Sequence, residues 1–232
     1  MEREIVNVAI DGPSGAGKSS TAALVARRLG YAFVSTGALY RAVALAALRA
    51  GCDLADEAAV AGVLPGVALH LRFVNGKQRT CLGQEDVTSE LDKLSMESSA
   101  VGAHAAVRSF LLDFQRNFAR EHSCILEGRD IGTVVLRDAQ VKIFLEATLD
   151  ERAECRFREL QRKGIEKPLD AIRSDIERRD LQDTQRANAP LRPAEDAVHV
   201  RRGGEALEQV AARIVSIIQN KLAKQEARDA GV

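Results

Sequence analysis

Gly12-Pro13-Ser14-Gly15-Ala16-Gly17-Lys18-Ser19 decides the reading of this chain, because the residues on either side supply the context that such a stretch needs. It fits the pattern G-x-x-x-x-G-K-[ST] at every fixed position. The run from Glu4 to Ile10 is apolar in the manner of a buried parallel strand. After it, Ala22, Ala23, Val25, Ala26 and Leu29 recur with a helical period from Ser19 to Leu29, and Gly30 supplies the stop. Glycines let successive backbone N–H groups converge on an anion, and the helix N-terminus adds partial positive charge. Lys18 brings a full charge to the terminal phosphates of a nucleotide, and Ser19 offers a hydroxyl to Mg²⁺; Ser20 places a second hydroxyl beside it. Strand, loop and helix in register distinguish this from a glycine-rich turn that merely joins two elements. The pattern predicts a nucleoside triphosphate site, ATP-binding through Gly12 to Ser20. It also places Lys18 on a solvent-accessible loop, where its replacement costs the fold little.

Bulk properties narrow the class. A chain of 232 residues suits one α/β domain with an inserted subdomain. Lys+Arg and Asp+Glu are equal at 33 each, so no overall basic field argues for a nucleic-acid partner. Cys52, Cys81, Cys124 and Cys155 are scattered with no CxxC spacing, as reduced thiols are, and form neither a metal motif nor a disulfide frame. Met1 leads almost directly into the first strand, leaving no room for a signal peptide. No apolar run reaches membrane-spanning length, so neither a membrane partner nor a compartment other than the cytoplasm is expected.

Strand and helix continue to alternate along the chain. Tyr31 to Ser35 reads as a strand, Gly37 to Ala50 as a helix, and Asp56 to Leu64 as another with Asp56 as N-cap. The texture then changes. Val67 to Phe73 alternates, Asn75-Gly76 is a type I′ hairpin signal, and Gln78 to Leu82 can pair back. An antiparallel insertion is therefore expected over about Pro65 to Lys93. Ala105 to His122 is an amphipathic helix with Val107, Leu111, Phe114 and Phe118 near one face. Cys124 to Glu127 and Val141 to Ala147 are strands, followed by charged helices over Leu149 to Lys163 and Leu169 to Gln182. Ala197 to Val200 reads as the last strand and Glu205 to Ala223 as the closing helix, with a frayed tail from Lys224. The expected fold is a doubly wound parallel α/β sheet.

Several classes share such a loop, and the remaining sequence discriminates among them. A GTPase would carry an Asn-Lys-x-Asp reading loop, whereas the only Asn-Lys pair is Asn220-Lys221, inside the final helix. What the chain has instead is arginine near strand ends and on helix faces. Thr36 to Arg41 follows the second strand, which delivers Arg41 to the carboxyl edge of a doubly wound sheet. Glu127-Gly128-Arg129-Asp130 follows another strand and reaches the same edge. Arg179, Asp183 and Arg186 share a helical face if the helix runs that far, and Arg152, Arg156 and Lys163 share another. On spacing alone these sets also fit solvated charged helices. A small-molecule kinase and a nucleotide-dependent switch both remain open at this point.

Ile10 to Lys18, Thr36 to Arg41, Gly128 to Val135, Val141 to Leu145 and Arg186 to Leu191, in this order, closely resemble the bacterial cytidylate kinases, and the likeness runs through nearly the whole chain. The resemblance implies transfer of the γ-phosphoryl group of ATP, with Mg²⁺, to CMP or dCMP by a monomer of the phosphate-binding-loop kinase fold. It implies an acceptor-binding subdomain over about 36–104 and a lid over about 152–168. By it, Arg41, Arg129 and Arg186 grip the acceptor phosphate, with Thr36 beside them. Ser99, Arg108 and Asp130 read cytosine, and Arg179 and Asp183 contact the ribose. Lys18, Arg129, Arg152 and Arg156 form the implied catalytic set, Lys18 on the donor, Arg129 on the acceptor, and Arg152 and Arg156 on the transferred group. Many members have Gly-Thr after the loop lysine where this chain has Ser19-Ser20, which leaves open which serine serves Mg²⁺. Among monophosphate kinases a UMP/CMP or adenylate kinase is the alternative, and a kinase for shikimate or dephospho-coenzyme A lies further off.

Overall fold

The apolar run before the glycine-rich loop forms the middle strand of a five-stranded parallel sheet. The computed structural model describes residues 4–162 and 164–229. In chain order the elements are β1 (Asn7–Asp11), α1 (Lys18–Leu29), β2 (Ala32–Ser35), α2 (Thr36–Arg49), α3 (Glu57–Val63), β3 (Leu69–Val74), β4 (Lys77–Leu82), β5 (Glu85–Asp86), α4 (Ser95–Val101), α5 (Ala105–Glu121), β6 (Cys124–Gly128), β7 (Val141–Glu146), α6 (Leu149–Arg162), α7 (Leu169–Gln185), β8 (Val198–Arg201) and α8 (Leu207–Asp229). Sheet order is β2-β6-β1-β7-β8, and β3, β4 and β5 form a separate antiparallel sheet.

Side-chain alternation on β1 explains the layering. Val8 and Ile10 pack with Ile125, Ile143 and Leu145 against the side carrying Val25 of α1 and Ile214 and Ile218 of α8. Ala9 faces the other way, with Val34 and Leu126, toward Leu39 and Val43 of α2 and Val107 and Leu111 of α5. Both faces of the sheet are thereby covered, which is why its strands read as continuous apolar runs. From β1 the sheet extends to β6 and β2 on one side and to β7 and β8 on the other. Where the winding reverses in this way, a crevice opens at the carboxyl ends of the strands, and ligands of such sheets bind there.

The expected doubly wound sheet is present, and so is the antiparallel insertion. Asn75 and Gly76 have φ of 53° and 70°, the left-handed pair that a type I′ turn requires, and they join β3 to β4 in the register Val74↔Lys77. Asp56 caps α3, accepting from the N–H groups of Ala58 and Ala59. Differences lie at element ends. The first strand begins at Asn7, not Glu4, because its partner β6 begins opposite at Cys124, and Glu4 and Ile5 are exposed. The expected frayed tail is helical to Asp229, since Lys224, Gln225, Glu226, Ala227 and Arg228 all have high helix propensity. The helix expected to stop at Gln182 runs to Gln185. α4 lies in a stretch to which no element was assigned from sequence. Lys163, expected at the end of α6, lies outside the described residues.

Candidate functional site

Gly12 to Gly17 wrap the carboxyl end of β1 and open directly into α1. Gly12 is dictated by space and Gly17 by its left-handed backbone. Gly12 has φ 150° and a Cβ there would collide with the carbonyl oxygen of Leu145 on β7; at Gly17 (φ 80°) it would collide with the Arg202 guanidinium. Lys18 is the first helical residue and donates from Nζ to the Pro13 carbonyl at 2.7 Å. It is not the exposed loop side chain expected from sequence: only 5% of its surface is accessible. Its charged neighbours, Arg129, Glu127, Arg179 and Asp183, come from distant segments and are invisible in the local sequence. Burial first, and then the Arg129 charge, lower its ammonium to about 7. Ser19 Oγ donates to Glu127 Oε1 at 2.8 Å, and Ser35 Oγ to the same oxygen at 2.6 Å. Of the two adjacent serines, Ser19 is therefore the one beside a buried carboxylate.

The helical pair α6–α7 lies over this loop. Arg152 Nη1 donates to the Ser14 carbonyl at 2.9 Å and pairs with Asp180 of α7. Asp180 Oδ1 in turn accepts from the Ser14 N–H at 3.2 Å. Arg156, one turn along α6, pairs with Glu159 at 2.8 Å and lines the cleft. Arg152 is thus the more deeply buried of the two α6 arginines.

At the other end the expected acceptor residues converge. Arg129 Nε donates to Asp183 Oδ2 at 2.7 Å, while Arg179 Nε and Arg186 Nη1 lie 3.9 and 3.8 Å from the same carboxylate. Burial alone would raise the Asp183 carboxyl, but Arg129, Arg179 and Arg186 outweigh it and hold it below the usual carboxylate range. Arg179 is crowded by burial and by Arg129, which lower it to about 10, and its Nη1 donates to Ser95 Oγ at 2.6 Å. Arg41 Nε is buried with no hydrogen-bond partner. Asp130 pairs with Arg108, and with Arg186 at 3.4 Å; burial raises its carboxyl despite both arginines. The Arg108 guanidinium also stands 5.7 Å from the Tyr40 ring centroid, over its face. Thr36 Oγ1 donates to the Glu127 carbonyl at 2.9 Å, holding α2 to the end of β6. Ser99 sits at the rim, its Oγ 3.4 Å from Gln182 Oε1.

One cleft of about 770 Å³ joins the two ends, lined by Lys18 and Ser19 on one side and by Arg41, Arg129, Asp130 and Arg186 on the other. That volume lies within the usual range of small-molecule sites. Sequence reasoning missed Glu127, Asp180, Arg202 and Ser95. The signal for Glu127 was present, an acid closing the apolar run Cys124 to Leu126. The other three owe their place to packing between distant segments.

The cytidylate kinase family model matches residues 8–220. The cytidylate kinase of Geobacter sulfurreducens is 47% identical over 216 residues, covering 92% of this chain and 93% of that one. The cytidylate kinase of Leuconostoc mesenteroides is 41% identical over 217 residues, covering 93% and 97%. Among solved structures, an uncharacterized protein from Eubacterium ventriosum aligns with TM-score 0.53 at 14% identity, covering 94% of this chain and 99% of that one, a likeness of fold alone. With the loop, the arginine cluster and these relatives in agreement, the chain belongs to the cytidylate kinase family.

Proposed function

We propose that this protein transfers the γ-phosphoryl group of ATP to CMP or dCMP, releasing ADP and CDP or dCDP. The observation that carries the reading is the single cleft with a phosphate-binding loop at one end and Arg41, Arg129 and Arg186 at the other. Its two ends suit two phosphorylated ligands. An acceptor phosphate with a second pKa near ~6 is largely dianionic at neutral pH, so no general base is needed. The obstacle is repulsion between polyanions, and phosphoryl transfer is catalysed mainly by positioning and charge. Lys18 and the loop N–H groups hold the donor phosphates, while Arg41, Arg129 and Arg186 hold the acceptor. Arg152 and Arg156 stabilise charge on the migrating group, with the lid over about 152–168 excluding water that would otherwise intercept it. Arg179 and Asp183 hold the ribose, within an acceptor subdomain over about 36–104.

The donor set fits Mg²⁺. Ser19 Oγ and the Glu127 carboxylate lie together beside Lys18, a hard-oxygen pair of the kind Mg²⁺ shares with nucleotide phosphates. Ser19 and Glu127 would hold the ion, which supplies charge neutralisation for the phosphates. Glu127→Gln is expected to raise the Mg²⁺ concentration for half-maximal rate several-fold while leaving the acceptor KM near wild type. An unchanged Mg²⁺ titration would remove Glu127 from that role.

Asp130 and Arg108 are the base-reading pair. A carboxylate accepts from the exocyclic amino group of cytosine and repels the uracil carbonyl at the same place. Asp130→Asn is expected to lower kcat/KM for CMP and to narrow the preference over UMP by about 1–3 kcal/mol. Equal losses for both substrates would make Asp130 a structural partner of Arg108 only.

ATP labelled at its γ-phosphorus tests the reaction itself. With CMP present, the label is expected in CDP. Label released as inorganic phosphate, whether or not CMP is added, would favour a nucleotide-dependent switch.

A further inference from the structure

Asp11 closes β1, and its main chain runs straight into Gly12 of the donor loop. Its partner across the ladder is Gly128, where β6 ends and the chain runs into Arg129 and Asp130. Both loops thus leave adjacent strands at the same rung. Beyond Asp130 the chain makes one wide turn over Ile131–Val135, with the N–H groups of Val134 and Val135 donating to the Asp130 carbonyl at 2.9 and 3.2 Å. The first N–H groups of a helical turn find no partner within it. The side chain that ordinarily takes them belongs to the residue at the N-cap, and Asp is among the best choices there.

Asp130 occupies that N-cap position, yet its side chain makes no capping bond. Its carboxylate faces Arg108 and Arg186 instead. The turn is capped from the neighbouring strand. Ile131 N–H donates to Asp11 Oδ1 and Gly132 N–H to Asp11 Oδ2, each at 2.8 Å, and Asp11 is only 4% exposed. A buried carboxylate is a costly way to satisfy two N–H groups. Burial pushes Asp11 up to about 7 against the bonds from Gly132 and Ile131, with the Asp130 charge adding to the rise and Lys18 opposing it. A local cap by Asp130 would avoid that cost, at the expense of withdrawing Asp130 from the cleft.

We propose that Asp11 is a positioning residue for the acceptor site: by capping the Ile131–Val135 turn from the adjacent strand, it leaves the Asp130 carboxylate turned into the cleft and fixes Arg129 and Asp130 relative to the donor loop. The inference rests on the proposed acceptor site. Without the Asp11 cap, two buried N–H groups lack an acceptor, and an unmet buried donor is costly. Asp130 is the adjacent carboxylate that can turn back to meet one. In doing so it leaves Arg108 and Arg186. A misplacement of about 1 Å in a transfer site is enough to cost on the order of 10²-fold in rate.

The test is a double-mutant cycle on the full chain, with CMP and UMP as acceptors and ATP affinity measured separately without acceptor. Asp11→Asn keeps the shape but turns a donor toward one of the two N–H groups. It is expected to raise the KM for CMP by about tenfold or more and to narrow the CMP over UMP preference toward that of Asp130→Asn, with ATP affinity changed by less than about threefold. Because both residues act through one carboxylate, the double variant should fall no more than about threefold below Asp130→Asn in kcat/KM for CMP. Losses that multiply, an unchanged CMP to UMP ratio, or an equal loss of ATP affinity would each overturn the proposal. Wild type without CMP-dependent turnover would instead overturn the acceptor reading, so the two failures are distinct. Amide hydrogen exchange on the wild type decides the matter even where Asp11→Asn does not fold. Ile131 and Gly132 are expected to be strongly protected without ligand, and exchange at the rate of an exposed loop would sink the inference.

Discussion

Lys18→Ala is expected to lower kcat for CMP phosphorylation by about 10³-fold or more while the protein remains folded, because it removes a full charge from the phosphates where charge shifts during transfer. Lys18 is buried, and burial with the nearby Arg129 charge depresses its ammonium to about 7. A cation with a depressed pKa is held at a cost to the ligand-free fold, a cost that is full below about 7 and is lost as pH climbs from there to the unfolded value of 10.5. Deleting the side chain relieves that cost and forfeits one hydrogen bond, to the half-buried Pro13. Thermal unfolding of Lys18→Ala should therefore stay near wild type at neutral pH. Near-normal turnover by the folded variant would contradict the assignment of the donor site.

Arg41→Ala is the second large effect. Arg41 sits on the first turns of α2, and its Nε is buried without a hydrogen-bond partner. A guanidinium held with its Nε donor unused suits a ligand that is itself an anion. Its loss is expected to reduce kcat/KM for CMP on the order of 10²- to 10³-fold, the scale seen when one donor to a reacting anion is deleted. ATP affinity measured alone should move by less than about threefold. Arg41→Lys should recover only part of the loss, since an ammonium does not reproduce the bidentate fork. Weakened ATP binding with an unchanged CMP dependence would place Arg41 on the donor.

The contrast between Lys18 and Glu127 shows what a sequence of this kind discloses. The glycine-rich loop was legible because its pattern is contiguous: glycines, lysine and serine lie in a single segment between a strand and a helix. The β3–β4 hairpin was legible for the same reason, since Asn75-Gly76 alone sets the turn. Arg179, Asp183 and Arg186 were placed on one face by helical spacing, and the structure brings the two arginines to the Asp183 carboxylate even though Arg186 lies just past the end of α7. Glu127 depends on strand order. It reaches Ser19 because β6 is the immediate neighbour of β1, with Ile10 opposite Glu127 in register; an acid at the end of an apolar run marks the position, but not the partner 108 residues away. The same holds for Asp180, which meets Ser14 from α7, and for Asp11, which the sequence leaves only as the residue between the first apolar run and the loop. The sequence also showed the charge of Lys18 without its charged neighbours from distant segments.

A cleft that joins ATP to a cytidine monophosphate acceptor should reveal itself in which acceptors drive turnover. The most direct measurement is ADP release by the wild-type protein with CMP, dCMP, UMP, AMP and GMP offered separately at equal concentration. ATP turnover is expected to depend on added monophosphate and to be fastest with CMP or dCMP. Turnover at the same rate without an acceptor, or a clear preference for AMP or GMP, would contradict the assignment.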